Sequence, residues 1–152
     1  RANFFFFFAD TTLHPRRQFR NVVAEQKLDV DVYLGKQFSR TDQMAHKYIA
    51  DVDGFARTWD AWAWKMMSGS TVLSVASPWE SFFSRAFQPW EHFVPVANDC
   101  TDLAQKLQWC RDNDSECEAI AQRARAQAMR VYDPVVVADE LLANLRRRLS
   151  GG

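Results

Sequence analysis

Short apolar runs alternate along this chain with longer stretches in which apolar residues recur every three or four positions. Phe4 to Phe8 is a continuous aromatic run closed by Asp10-Thr11-Thr12, and it predicts a buried strand. Pro15 suits the first turn of a helix reaching about Gln26, with Phe19, Val22 and Val23 on its inner face. Val30, Val32 and Leu34 alternate with Asp29, Asp31 and Tyr33 in a second strand ended by Gly35. Thr41 or Asp42 caps a short helix through His46, and Tyr48 to Val52 is a third strand closing at Asp53-Gly54.

From Thr58 to Met67 the spacing is helical, with Trp59, Trp62 and Met66 on one side and Gly69 as C-cap. Thr71 to Val75 is a fourth strand, and Pro78 to Phe83 opens another short helix. His92 to Val96 is a fifth strand, whose Pro95 suits an edge or a strand end. Asp99 or Thr101 caps a helix to about Asp112, and Asp114 or Ser115 caps a longer one to Tyr132. After Asp133-Pro134 an amphipathic helix over residues 134–149 carries Val136, Leu141, Leu142, Leu145 and Leu149. It ends in Arg146-Arg147-Arg148, where cations suit the negative end of the helix dipole.

Strands alternating with helices imply an α/β fold: a doubly wound, Rossmann-like, mainly parallel sheet of about five strands with helices on both faces. Such sheets bind ligands beyond the carboxyl ends of their strands. That rule selects Ala9 to Arg17, Asp51 to Trp59 and Ser74 to Glu80.

Composition narrows the field. At 152 residues the chain reads as a single domain spanning 1–152, and 47% hydrophobic with 25% charged residues is ordinary for a folded protein. Disorder and a disulfide scaffold are excluded. The 19 basic and 19 acidic side chains cancel, which argues against a strongly basic nucleic-acid binder. No apolar run approaches the ~18–20 residues of a membrane span. Cys100, Cys110 and Cys117 have no CxxC spacing and no neighbouring histidine, so they read as packed thiols and no metal site is assigned. The chain opens Arg1-Ala2-Asn3 without Met and reads as an excerpt of something longer. The unusual feature is the aromatic content, 14% with 12 Phe and 6 Trp.

Two loops carry candidate chemistry. Asp53-Gly54-Phe55-Ala56-Arg57-Thr58-Trp59 leaves a strand and enters a helix, where exposed backbone N–H groups and the positive helix end suit a phosphate. An ordinary strand-to-helix turn would look the same. It has neither the dinucleotide nor the P-loop glycine spacing, and Asp53 could accept a ribose or sugar hydroxyl. Thr11-Thr12-Leu13-His14-Pro15-Arg16-Arg17 offers hydroxyls followed by guanidiniums that could grip a diphosphate; two arginines in a first turn oppose the helix dipole. Ser68-Gly69-Ser70 reads as helix termination, the Trp59/Trp62 stripe as core, and His92 as a hydrogen-bonded packing residue. Asp51 and Asp53 are placed on opposite faces of a strand end, which makes shared acid/base work improbable.

These motifs resemble glycosyltransferase family 90. The resemblance rests on Lys47-Tyr48-Ile49-Ala50-Asp51-Val52-Asp53-Gly54 and Trp64-Lys65-Met66-Met67-Ser68-Gly69-Ser70-Thr71-Val72-Leu73. It continues through Trp79-Glu80-Ser81-Phe82-Phe83 and Pro89-Trp90-Glu91-His92-Phe93-Val94-Pro95-Val96, covering roughly residues 45 to 132. It implies the carboxyl-terminal, nucleotide-gripping half of a two-domain GT-B enzyme that uses a UDP-sugar donor without metal or other cofactor. Donor contacts then fall on Gly54, Phe55, Ala56, Arg57, Thr58 and Trp59, and the diphosphate on Thr11 with Arg16 or Arg17. Two departures stand out. Many members carry an arginine in the helix after the glycine loop, where this chain has Ala61, Trp62 and Ala63. The family's catalytic aspartate belongs to the amino-terminal domain, so no catalytic residue is assigned here. The implied partners are the UDP-sugar, a protein or glycan acceptor and that amino-terminal domain. A different reading is a non-catalytic interaction module that keeps the fold without the donor chemistry. The sequence assigns no compartment.

Overall fold

In the computed structural model, which describes residues 4–8, 14–34, 39–54, 56 and 59–150, the apolar runs become strands of one parallel sheet. They are β1 (Phe4–Phe8), β2 (Asp31–Leu34), β3 (Tyr48–Asp51), β4 (Thr71–Val75) and β5 (Val94–Val96). Their order across the sheet is β2-β1-β3-β4-β5, and each neighbouring pair is parallel. Every residue of β3 and β4 is buried, as strands covered on both faces require. Pro95 sits in the edge strand β5, where its missing N–H leaves no gap in an inner ladder.

The helices are α1 (His14–Glu25), α2 (Arg40–Met44), α3 (Trp59–Met67), α4 (Leu103–Asp112), α5 (Asp114–Val131) and α6 (Pro134–Ser150). Side-chain alternation sorts them into two layers. Tyr48, Ala50, Val52, Leu73 and Val75 face Phe19 and Val23 of α1 and Leu103, Leu107 and Cys110 of α4. On the other face, Val72 meets Trp62 and Met66 of α3 and Ala124 and Ala128 of α5. All three cysteines are buried and unbridged, packing as the sequence predicts.

Several ends differ from expectation in instructive ways. The cap of α2 is Ser39 rather than Thr41 or Asp42: its hydroxyl accepts from the Asp42 N–H at 3.1 Å while Asp42 accepts from the Ser39 N–H at 3.0 Å. Ser39 Oγ also donates to Asp42 Oδ2 at 2.7 Å, and this bond together with the Ser39 N–H holds the Asp42 carboxyl below the usual carboxylate range. Neither Asp99 nor Thr101 caps α4; Asp102 precedes it, and Asn113 precedes α5. α1 ends with Lys27 at φ +49°, its N–H bonded to Ala24 O and that of Leu28 to Val23 O, a termination more often made by glycine. Gly69 ends α3 at φ +81°, as predicted; a Cβ there would meet nothing within 4 Å, so conformation rather than space calls for glycine.

The predicted helix over Pro78 to Phe83 does not form, and only a 3-10 turn at Ser84–Ala86 follows. The Ser81 hydroxyl takes the Ser84 N–H, which a helix would pair with the Glu80 carbonyl. Ser77 Oγ accepts from the Trp79 N–H at 2.9 Å, and Ser81 and Ser84 bond one another's N–H groups at 2.9 and 3.1 Å. The fifth strand is shorter than His92 to Val96 because His92 folds back on Gln88, its N–H donating to Gln88 O at 3.0 Å.

Candidate functional site

The chain runs from β1 outward to β2, then returns past β1 to build β3, β4 and β5 on the other side. The direction of winding therefore reverses between β1 and β3, and at such a point the flanking loops diverge and leave a crevice at the carboxyl edge. Phe4 lies beside Tyr48 and Phe5 beside Ile49, so the two strands end side by side, one spacing of ~4.8 Å apart. α1 packs on one face of the sheet and α3 on the other, so the helices that follow β1 and β3 start on opposite faces of this switch point.

The two candidate loops are the ones that leave these strands. Arg16 and Arg17 occupy the first turn of α1, Arg16 half-buried and Arg17 exposed. Asp53 is buried, Gly54 half-buried and Ala56 exposed, and Trp59 opens α3. Thr11, Phe55, Arg57 and Thr58 lie outside the described residues, as does the Trp59 side chain.

Residues two apart on an extended strand point the same way. Tyr48, Ala50 and Val52 fill the α1 side, which puts Asp51, the last residue of β3, on the α3 side, while Asp53 lies beyond the strand. Both aspartates are buried, Asp51 at 1% and Asp53 at 7% exposure. A buried carboxylate calls for a partner, and α3 supplies a cation to Asp51. Lys65 Nζ donates to Asp51 Oδ1 at 2.8 Å and to Ala50 O at 2.9 Å. Lys65 sits near the end of α3, but helical side chains lean toward the N-terminus, which carries its ammonium up to the strand end. The sequence reading missed this residue. The available signal was a long cationic side chain on the inner side of a helix packed over acidic strand-end positions.

Next along the carboxyl edge, a cavity of about 300 Å³ opens beyond β4 and β5, lined among others by Ser74, Trp79, Glu80 and Phe93. Trp62 is core, as predicted, and meets Phe87 and Phe93 edge-on. Of the three residues in the stretch where many family members carry an arginine, Ala61, Trp62 and Ala63, Trp62 therefore points inward. His92 is the packing residue the sequence predicts: its Nδ1 accepts from the Gln88 N–H at 3.0 Å, and burial holds its pKa below the ordinary imidazole value. Ser68-Gly69-Ser70 ends α3, with Ser68 Oγ donating to Lys65 O and Ser70 Oγ to His46 O. Among the described residues no group of His, Cys, Asp and Glu is arranged to hold a metal ion, and no helix is long and apolar enough to cross a membrane.

Comparison with known proteins gives a consistent picture. The family model described as glycosyl transferase family 90 matches residues 16–135. Human protein O-glucosyltransferase 3 is 32% identical over 109 residues, covering 72% of this chain and 21% of that protein. An uncharacterised protein, 179R of invertebrate iridescent virus 6, is 38% identical over 90 residues, covering 55% of this chain and 8% of its own length. The chain thus spans about a fifth of the curated glucosyltransferase and less of the viral protein. Among solved structures, HepE from Anabaena, crystallised with UDP and glucose, superposes with a TM-score of 0.63 at 13% identity, over 96% of this chain and 49% of that one. At that identity the likeness speaks for the fold.

Proposed function

The chain belongs to glycosyl transferase family 90, and from this we infer that it is the donor-binding half of a UDP-sugar-dependent glycosyltransferase that moves a hexosyl or pentosyl unit to an acceptor hydroxyl. One observation carries the reading: Arg16 and Arg17 open the helix that follows β1, and Asp53 and Gly54 follow β3, the adjacent strand across the point where the sheet reverses its winding. HepE, which shares the fold, is solved with UDP and glucose, and this supports the same ligand class.

The chemistry follows from the charges. An acceptor oxygen attacks the anomeric carbon, the bond from that carbon to the diphosphate breaks, and UDP departs with the bonding pair. The hydroxyl proton passes to a base outside this chain. Guanidiniums at 16 and 17 and the N–H groups opening α3 meet the negative charge that grows on the diphosphate oxygens. Thr11 supplies a hydroxyl to the same oxygens, and Asp53 accepts from the ribose or sugar. Phe55, Ala56, Arg57, Thr58 and Trp59 form the rest of the donor contact.

Isothermal titration of UDP into the folded chain tests this. The double substitution Arg16→Ala with Arg17→Ala should weaken UDP binding by about tenfold or more, since charge-assisted phosphate contacts are being removed. Absence of heat at millimolar UDP from a chain shown to be folded would end the reading and leave the interaction-module alternative.

A further inference from the structure

α6 leans on the rest of the molecule along one line. Val137 and Asn144, two turns apart, are half-buried, and every other residue of the helix is exposed. Its apolar seam lies elsewhere on the helix surface. Val135, Ala138, Leu142, Leu145 and Leu149 recur at alternating steps of three and four, the heptad spacing that gives a continuous stripe for a second helix. At about 3.6 residues per turn this stripe is centred roughly a third of a turn from the line of Val137 and Asn144, which turns it toward solvent. Leu142, Leu145 and Leu149 are 49, 56 and 83% exposed. Phe82, also exposed, extends the apolar surface on one side, where it lines a cavity of about 400 Å³ with Leu141 and Leu145. A contiguous apolar surface of this kind marks a place of association.

Charge decides what lies on it. The acidic side chains of α6, Asp139 and Glu140, fall in its first half, and Arg146, Arg147 and Arg148 in its last turns. A parallel copy of the helix would set arginines against arginines. An antiparallel copy sets each acidic half against a basic one. Leu142 then lies opposite Leu145 of the other copy, and Ala138 opposite its Leu149. Asp139 and Arg146 flank the seam on the same side, and in an antiparallel pair each flank meets its own counterpart. Asp139 of each copy thus meets Arg146 of the other, twice by the two-fold symmetry. A lipid surface would attract the arginines but would have to accept Asp139 beside the same stripe.

We propose that α6 is a self-association surface, pairing antiparallel with α6 of a second copy of this chain. Two helices of this length bury less than about 1,200 Å², the size of a weak, reversible contact. The pair forms at concentrations on the order of tens of micromolar and is apart in a dilute urea melt, where it adds nothing to the stability of the single chain. Sedimentation velocity of the full chain over roughly 1–500 µM tests this, and the mass should rise from monomer to dimer across that range. Leu145→Asp should leave the chain folded by circular dichroism and monomeric throughout. Asp139→Arg and Arg146→Asp should each weaken the dimer about fivefold or more at low salt. Combining them should restore it, since the pairs are rebuilt with their signs exchanged. A wild type that stays monomeric at the highest concentration overturns the proposal, as does a dimer that Leu145→Asp leaves intact. A combined variant no better than its parents overturns the antiparallel pairing. Flotation of a monomeric wild type with phosphatidylglycerol vesicles would give the face to a lipid surface instead.

Discussion

α3 and α5 form a layer built into the molecule, whereas α6, nearly as long as α5, lies outside it. α5 buries Cys117, Ile120, Ala121, Ala124 and Ala128, a stripe of mostly small residues that lets its axis approach α3 and the sheet closely. α6 carries Val135, Leu141, Leu142, Leu145 and Leu149 on a comparable stripe and buries no residue. A groove of about 710 Å³, lined by Phe82, Phe83, Arg130 and Val136, separates it from the turn after β4. A helical period thus reports that a face needs cover, and says nothing about whether the same stretch of chain provides it.

The strongest test of the built-in layer is its ion pair. Lys65→Met keeps the bulk of the side chain and removes the cation, leaving the Asp51 carboxylate buried at 1% exposure without it. Breaking one side of a buried pair costs about 3–5 kcal/mol, read as a lower urea midpoint with unchanged slope. A cost below about 1 kcal/mol would mean that water reaches the Asp51 carboxylate and that the layer is looser than its packing implies.

Much of this arrangement was legible in residue order. The continuous run at Thr71 to Val75, the helical spacing of Trp62 and Met66 and the glycine at 69 each gave a local signal strong enough to fix an element. The two candidate loops could be located because the strands before them and the helices after them carry strong local patterns. What stayed hidden depended on partners distant in sequence. The pairing of Lys65 with Asp51 depends on how α3 packs over β3, which residue order alone does not give. The exchange of bonds between Ser81 and Ser84 closed a turn where the Pro78 to Phe83 composition favours a helix.

A smaller but still large effect is expected within α5. Ile120→Ala removes a fully buried side chain from the cluster that joins α5 to β3, β4 and α4, and truncations of this kind cost about 2–5 kcal/mol. The loss should appear in urea melts at unchanged secondary structure. A result near zero would show that α5 is held by its alanine contacts with α3 alone.

The smallest effect is expected from the matching truncation in α6. Leu145 is 56% exposed and Leu142 49%, so Leu142→Ala and Leu145→Ala remove little buried area. Alanine is also the better helix former, which offsets part of that loss. Each substitution should therefore lie within about 0.5 kcal/mol of the parent in the same urea melts. The pair of experiments isolates position from chemistry, since an aliphatic side chain becomes alanine on an amphipathic helix in both cases. A Leu145→Ala cost approaching that of Ile120→Ala would mean that the α6 stripe is covered in solution, and the contrast between the two helices would disappear.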